Sequence, residues 1–191
     1  EAILQVRPHG PYHIGGFSFG GVVAFEIAQQ LQARQEEVSL LTLIDTPWPG
    51  DIPNDIDGER AIIDLALNAD PTISAHIDRI WQQDSQQRLA SCLAYAKQLE
   101  RFPAHFELAD FERLVQMLYN HLQALRSYQP QPYHGPMIYF SAQERGPQDP
   151  AHPELEWVPR ALHGISIIRA NGNHMSMIHP PYVAKLGQQL R

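Results

Sequence analysis

The pattern of apolar and polar positions divides the chain into three parts, and the first contains a strand–helix–strand unit. Residues 1–11 read as the end of a helix that is broken at 8–11, and a short strand is predicted over 12–16. Apolar residues in 22–31 cover most of a helical circumference, so we expect that helix to be largely buried. The near-continuous apolar run over 38–44 is typical of a strand covered on both faces. This order predicts a βαβ unit with a right-handed crossover.

The second part, residues 55–127, shows helical periodicity and no strand-like run. Its clearest feature is a single apolar stripe that continues over four helical turns. The stripe consists of Phe111, Leu114, Val115, Leu118, Leu122 and Leu125. We therefore predict a helical insertion over 55–127, which ends where prolines return the chain to the sheet.

The third part predicts the remainder of the sheet. Apolar runs over 137–141 and 165–169 are two more candidates for buried strands, and 183–190 is predicted to form a closing helix. Alternation of strands and helices favours an α/β fold, with a mostly parallel sheet flanked by helices. A length of 191 residues is enough for one domain, 1–191, with a sizeable core.

Composition narrows the classes of partner and compartment. The formal net charge of -7 argues against nucleic acid as a partner, and no apolar run is long enough to span a membrane. The single cysteine, Cys92, cannot form an internal disulfide and favours a reducing, cytoplasmic compartment. Cys92 shares helical spacing with Leu89, Leu93 and Ala96, so we interpret it as a small core residue and not as a nucleophile.

Residues 16–20, Gly-Phe-Ser-Phe-Gly, match the G-x-S-x-G pattern of a nucleophile elbow, with a strand predicted before and a helix after. In this motif the serine occupies a tight, strained turn from which its hydroxyl projects beyond the sheet. We expect side chains at Gly16 and Gly20 to collide across the turn, and a further glycine, Gly21, lies beside the motif. Ser18 is therefore the candidate nucleophile.

The helix that follows Ser18 also predicts a means of stabilising negative charge. A helix N-terminus presents backbone N–H groups and the positive end of the helix dipole. The N–H of Phe19 is thus the expected first donor of an oxyanion hole. The alternatives are a connecting turn and a phosphate-binding loop. A P-loop needs lysine where this chain has Val22, and the G-x-G-x-x-G spacing of a dinucleotide fold is missing.

A serine hydroxyl needs a base to remove its proton, and histidine is the usual one. Of the 10 histidines, His174 lies in a turn-forming segment directly after the last predicted strand, where this architecture places its base. His179 is the closest rival, but two prolines follow it, and His163 precedes the strand and should lie at the opposite edge. His174 and His179 are not spaced as a helical ligand pair, so we predict no metal site.

The base in turn needs a carboxylate that fixes its tautomer and stabilises its protonated form. Asp45 ends the strand over 38–44, at the same edge of the sheet as Ser18, and is the preferred candidate. Glu144 competes, because it follows the strand over 137–141, where many α/β-hydrolases carry their acid. A carboxylate that only caps a turn is the structural alternative for Asp45.

Taken together, these segments resemble the thioesterase domains that end nonribosomal peptide and polyketide synthases, a family within the α/β-hydrolases. The resemblance rests on 13–26, 43–47 and 172–175, and 133–136 and the helical insertion also fit, so that it covers nearly the whole chain. The acid lies after the strand that follows the nucleophile helix, 27 positions beyond the nucleophile, which is typical of this family.

The resemblance implies a serine hydrolase that acts on a thioester carried by the phosphopantetheine arm of an acyl or peptidyl carrier protein. Ser18 would be acylated, His174 would move the proton, and the acyl or peptidyl chain would leave by hydrolysis or cyclisation. The insertion over 55–127 would be a lid over the acyl channel. The domain itself would bind no cofactor, because the phosphopantetheine belongs to the carrier partner.

Three other functions remain open from the sequence: a stand-alone editing thioesterase, a general carboxylesterase, and a non-catalytic binding module. The family begins some tens of residues earlier, with strands and a loop that supplies a second oxyanion donor, whereas this chain begins at Glu1. The resemblance therefore implies an N-terminally truncated domain. Since one missing donor costs about 100-fold or more in rate, we expect the 191 residues alone to be weakly active or inactive.

Overall fold

The computed structural model describes residues 1–51, 59–67, 71–82, 84, 87–146 and 149–190. The chain forms two compact units: the first combines Glu1–Asp51 with Tyr128–Arg191, and the second is Ile52–Ser127. The start of the insertion that the sequence predicts, residue 55, lies outside the described residues. That the insertion acts as a lid stays a prediction.

The first unit contains a four-stranded, fully parallel sheet in the order β1-β2-β3-β4. The strands are β1 (Tyr12–Phe17), β2 (Val38–Ile44), β3 (Met137–Ala142) and β4 (Ile165–Ala170). Each was predicted to within one residue at either end. Because all four strands run in the same direction, their carboxyl ends share one edge of the sheet, and the loops that carry chemistry follow there.

The described residues of this unit form three helices: α1 (Ala2–Val6), α2 (Phe19–Ala33) and α7 (Val183–Gln189). Short 3₁₀ segments lie at Pro49–Asp51, Pro153–Arg160 and Ser176–Ile178. Helix α2 packs on β1 and β2 and buries most of its apolar residues, although Val23 is 42% exposed. It begins directly after Ser18, earlier than the predicted 22–31. The start was missed because Gly20 and Gly21 carry no apolar signal.

The core of the first unit lies on both faces of the sheet. On one side, Phe25 of α2 contacts Trp157 (ring centroids 4.9 Å apart) and Tyr133 (5.8 Å). On the other side, buried Phe140 packs in a cluster with Met177 and Leu186. This double coverage explains the continuous apolar runs in β2 and β3. The expectation of a buried strand was wrong for β4, which lies at the end of the strand order and is largely exposed, with Ile167 39% exposed.

The second unit is helical and has its own core. Its helices are α3 (Glu59–Ala66), α4 (Pro71–Trp81), α5 (Arg88–Gln98) and α6 (Leu108–Ser127). The predicted stripe on α6 faces that core, with Phe111 fully buried. Cys92 is buried in the same cluster, as predicted, and burial raises the pKa of its thiol to about 11. None of the described helices has both the length and the apolar character needed to cross a membrane.

Candidate active site

The predicted nucleophile occupies a strained turn between β1 and α2. Ser18 has φ 54° and ψ -130°, a backbone conformation that non-glycine residues rarely adopt. Its N–H donates to the carbonyl of Ile44 in the neighbouring strand (2.9 Å), and its own carbonyl accepts from the N–H of Gly21 (2.9 Å). The turn is therefore held from both sides, and the partly exposed hydroxyl of Ser18 lies at the carboxyl edge of the sheet.

The glycines around Ser18 differ in their roles, and one expectation about them was wrong. A Cβ at Gly16 would overlap the carbonyl of Gly20, as predicted, but a Cβ at Gly20 would meet nothing within 4 Å. The second crowded position is Gly21, where a Cβ would overlap the side chain of Thr46. The physical reason is that α2 has already begun at Gly20, so that position faces outward while Gly21 faces β2.

The predicted acid also lies in a strained turn, directly after β2. Asp45 has φ 43°, and its N–H donates to the carbonyl of Phe140 in β3 (2.7 Å). The next residue is tied down as well, since the carbonyl of Thr46 accepts from Tyr139 Oη (2.8 Å) and from Trp157 Nε1 (3.2 Å). Two buried aromatic side chains thus fix the direction in which the chain leaves the sheet.

The predicted base lies in the loop after β4, which hydrogen bonds of its own hold together. Asn173 Oδ1 accepts from the N–H groups of Met175 (3.1 Å) and Ser176 (2.9 Å), and Ser176 Oγ accepts from the N–H of Asn173 (2.9 Å). Gly172 has φ 89°, and a Cβ there would overlap Ser176 Oγ. This compact loop presents His174, whose ring stacks on Phe17 at 4.6 Å between centroids.

The three predicted residues meet at the carboxyl edge of the sheet. His174 Nδ1 lies 2.7 Å from Asp45 Oδ2, and His174 Nε2 lies 3.1 Å from Ser18 Oγ. A carboxylate only accepts hydrogen bonds, so Nδ1 carries the proton and Nε2 is left to accept from the serine hydroxyl. The side chain of Asp45 is 1% exposed and that of His174 is 35% exposed, which places a buried acid behind an accessible base.

The sequence analysis missed a fourth residue, Arg145. Both terminal nitrogens of its guanidinium group bind Asp45, with Nη2 2.6 Å from Oδ1 and Nη1 3.1 Å from Oδ2. Burial raises the pKa of Asp45, but hydrogen bonds from His174, from the N–H of Ala142 and from Arg145 outweigh it, so the pKa lies below its ordinary value. The sequence did contain a signal for this ion pair, because Arg145 follows β3 at the same edge of the sheet at which Asp45 follows β2.

The rival residues lie elsewhere. The side chain of Glu144 is exposed, and its backbone N–H donates to the carbonyl of Gly172 (3.0 Å). His179 is exposed in the turn before the two prolines. Within the described residues, no group of three or more histidine, cysteine or carboxylate side chains is arranged to hold a metal ion. Phe19 is the first residue of α2, and its role as an oxyanion donor stays a prediction.

Comparison with known proteins shows the family to which this chain belongs. The model of the family described as "Thioesterase domain" matches residues 1–188. The chain belongs to the thioesterase domain family. This membership confirms the predicted resemblance, the α/β-hydrolase fold and the serine hydrolase class.

Individual relatives agree with this assignment. Enterobactin synthase component F of Escherichia coli K12 is 30% identical over 190 residues, which cover 99% of this thioesterase domain and 13% of that protein. A four-domain nonribosomal peptide synthetase bound to AMP and glycine superposes with a TM-score of 0.84 at 22% identity, over 99% of this chain and 15% of that one. The NocB thioesterase domain, in covalent complex with a fluorophosphonate nocardicin G analogue, gives 0.67 at 23% identity, over 100% and 69%. At such identities the solved structures show the fold.

Proposed function

We propose that this domain releases an acyl or peptidyl chain from the phosphopantetheine thioester of a carrier protein, through an acyl-enzyme on Ser18. The observation that carries the proposal is the hydrogen-bonded relay from Ser18 to His174 (3.1 Å) and from His174 to Asp45 (2.7 Å). Membership in the thioesterase family supports the thioester as the bond that is broken. The matched relatives are synthases of which this chain spans a small part, which supports a carrier domain as the partner.

The reaction follows from the protonation states of the relay. His174 Nε2 takes the proton of Ser18 as its Oγ attacks the thioester carbonyl carbon, and Asp45 stabilises the resulting imidazolium. The C–S bond then breaks, and His174 returns the proton to the departing thiolate. Water, or a hydroxyl or amine of the bound chain, then attacks the ester on Ser18 while His174 takes the attacking group's proton. The ester C–O bond breaks, and His174 returns that proton to Ser18 Oγ. We assign the N–H of Phe19 to the oxyanion in both steps.

The nucleophile is tested by labelling the full-length protein that contains this domain with a fluorophosphonate probe and locating the adduct by mass spectrometry. We expect one adduct, on Ser18, and none in Ser18→Ala. A fluorophosphonate analogue forms a covalent complex with the related NocB domain. Absence of an adduct on Ser18 in folded protein would favour a non-catalytic binding module.

The acid and the substrate class are tested by turnover in the same full-length protein. Asp45→Ala is expected to reduce kcat by about 10³–10⁴-fold, and Glu144→Ala is expected to retain it. Retained activity in Asp45→Ala would overturn the assignment. A matched pair of an acyl thioester and the corresponding oxygen ester separates a thioesterase from a general carboxylesterase, since preference for the oxygen ester would favour the latter. The cytoplasmic location and the lid stay predictions.

A further inference from the structure

Arg145 binds the carboxylate of Asp45 and holds that carboxylate in a single orientation. Each carboxylate oxygen has two donors: Oδ1 accepts from Arg145 Nη2 and the N–H of Ala142, and Oδ2 accepts from Arg145 Nη1 and His174 Nδ1. The side chains of Asp45 and Arg145 are 1% and 17% exposed, so water has little access to this contact. A planar guanidinium that holds both oxygens prevents the carboxylate from rotating away from His174.

Arg145 is itself held from behind by an ionic cluster, defined here as Asp45, Ser141, Arg145, Glu154 and Arg169. Its Nη2 donates to Ser141 Oγ (3.0 Å), which also accepts from Arg169 Nη1 (2.7 Å) and donates to Glu154 Oε2 (2.9 Å). Arg169 Nη2 binds Glu154 Oε1 at 2.5 Å. The charges of the two carboxylates and the two guanidinium groups cancel, which makes the burial of Asp45 and Glu154 tolerable. The exposed His152 contacts this cluster, with its Nδ1 3.2 Å from Glu154 Oε1 and 3.0 Å from Arg169 Nη2.

The charge of Arg145 also acts on the relay. A proton on His174 is attracted by the carboxylate of Asp45, and the adjacent guanidinium of Arg145 offsets that attraction. The other charged groups at this edge are either exposed or neutralised by a partner. Among the described residues they include Glu144, Lys185 and His152, which are exposed, and Arg169, which is paired with Glu154.

We propose that Arg145 is a positioning residue of the active site, which orients Asp45 toward His174 and opposes premature protonation of His174. The inference rests on the proposed function, because it concerns the same relay. The inference goes beyond the proposed function because it adds a fourth side chain to the relay. Arg145 acts through Asp45 and helps to keep His174 in the unprotonated state that accepts the proton of Ser18.

The test compares Arg145→Gln with Arg145→Lys. Without the positive charge, the Asp45 carboxylate attracts a protonated imidazole more strongly, so Arg145→Gln should move the acid limb of kcat/KM to higher pH by about one pH unit. Arg145→Lys keeps the positive charge but loses the paired hydrogen bonds that the two guanidinium nitrogens donate to Asp45. We expect its acid limb to stay at the wild-type pH, while kcat falls about 10-fold and KM is unchanged.

A second readout does not depend on turnover. The pH midpoint of the His174 imidazole resonances, assigned by their loss in His174→Asn, should rise in Arg145→Gln and stay in place in Arg145→Lys. Lys185→Gln is the matched control, because it removes an exposed positive charge next to Asn171 in the same loop and should move neither profile. If wild-type protein is not labelled at Ser18, the proposed function fails, yet this midpoint still tests Arg145.

Two results would overturn the inference: a midpoint in Arg145→Gln that coincides with wild type, or full kcat in Arg145→Lys. Should Arg145→Gln not fold, Arg145→Lys and Ser141→Ala carry the test. Both retain the charge and loosen the grip on Asp45, so both should lower kcat without moving the midpoint. Wild-type kcat in both variants would show that the paired hydrogen bonds from Arg145 do not position Asp45 for catalysis.

Discussion

Ser18 and Asp45 share an unusual feature at the residue scale, since both have positive φ, 54° and 43°. Such conformations cost about 1–3 kcal/mol each and persist only where the surroundings enforce them. Here the enforcement comes from the sheet: the N–H of each residue donates to a carbonyl of the adjacent strand, that of Ile44 or Phe140. Gln35 and Glu100 also have positive φ, but at Ser18 and Asp45 the strain lies where the chain turns a candidate catalytic side chain over the sheet edge.

The glycines of the nucleophile turn predict a contrast between two otherwise similar substitutions. Gly16→Ala places a Cβ against the backbone of the turn, so we expect it to lower the free energy of unfolding by about 2 kcal/mol and to abolish labelling of Ser18. Gly20→Ala has open space in the first turn of α2, and alanine favours helix, so its stability should be unchanged or up to about 1 kcal/mol higher. Urea unfolding and probe labelling check both, and equal effects at the two positions would contradict this account.

Cys92 predicts a thiol that is chemically silent in the folded protein. It is 0% exposed, and burial raises its pKa to about 11, so both access and thiolate formation are suppressed at pH 8. We expect no reaction with a disulfide reagent in native protein within minutes, and one thiol per chain in urea. Rapid modification under native conditions would show that the α3–α6 core opens more readily than its packing indicates.

At the scale of elements, the loop after β4 should behave as a unit that Asn173 holds together. Asn173→Ala removes the acceptor for two N–H groups, and we expect kcat to fall about 10-fold and stability to fall by about 1 kcal/mol. Asn171→Ala is the matched control, since that side chain contacts only Lys185 among the hydrogen bonds described for it. Turnover assays and thermal melts separate the two, and parallel losses in both variants would indicate a loop without this internal order.

The same elements show what a sequence can and cannot predict. Burial on two faces leaves a continuous apolar run, so β2 was predicted with its observed bounds. Position after a strand made both Asp45 and Glu144 candidates, because each follows a parallel strand at the same edge, and the spacing typical of the family favoured Asp45. Arg145 was missed because its carboxylate partner, Asp45, follows another strand, and a hydrogen bond across a sheet leaves no periodic trace in the chain. Its position after β3 was the signal that the sequence did contain. The beginning of α2 was missed for a related reason: glycines required by close packing against β2 carry no helical signal.

At the scale of the whole molecule, two kinds of interior coexist. The helical unit, like most of the sheet unit, is held by apolar packing, whereas the region behind the relay is held by the ionic cluster. Apolar packing is indifferent to pH, but a buried carboxylate stabilises the fold only while it is ionised. The pKa values of Glu36 and Asp110, elsewhere in the molecule, are also lowered. The contribution of buried carboxylates to the dependence of stability on pH should nevertheless originate behind the active site, where Asp45 and Glu154 lie in one cluster.

Glu154 allows this to be tested. Burial raises its pKa, but its hydrogen bonds, with Ser141 among the donors, and the charge of Arg169 outweigh this effect, and the pKa lies below the ordinary value. A carboxyl whose pKa is lower folded than unfolded stabilises the protein above its unfolded pKa, about 4.3 for glutamate, and loses that contribution as pH falls through the folded value. We expect wild type to lose stability to urea steeply below about pH 4, and Glu154→Gln to be less stable at pH 7 but with a shallower acid slope. Glu144→Gln, an exposed neighbour, should keep the wild-type slope. Identical slopes in wild type and Glu154→Gln would mean that the cluster does not govern acid stability.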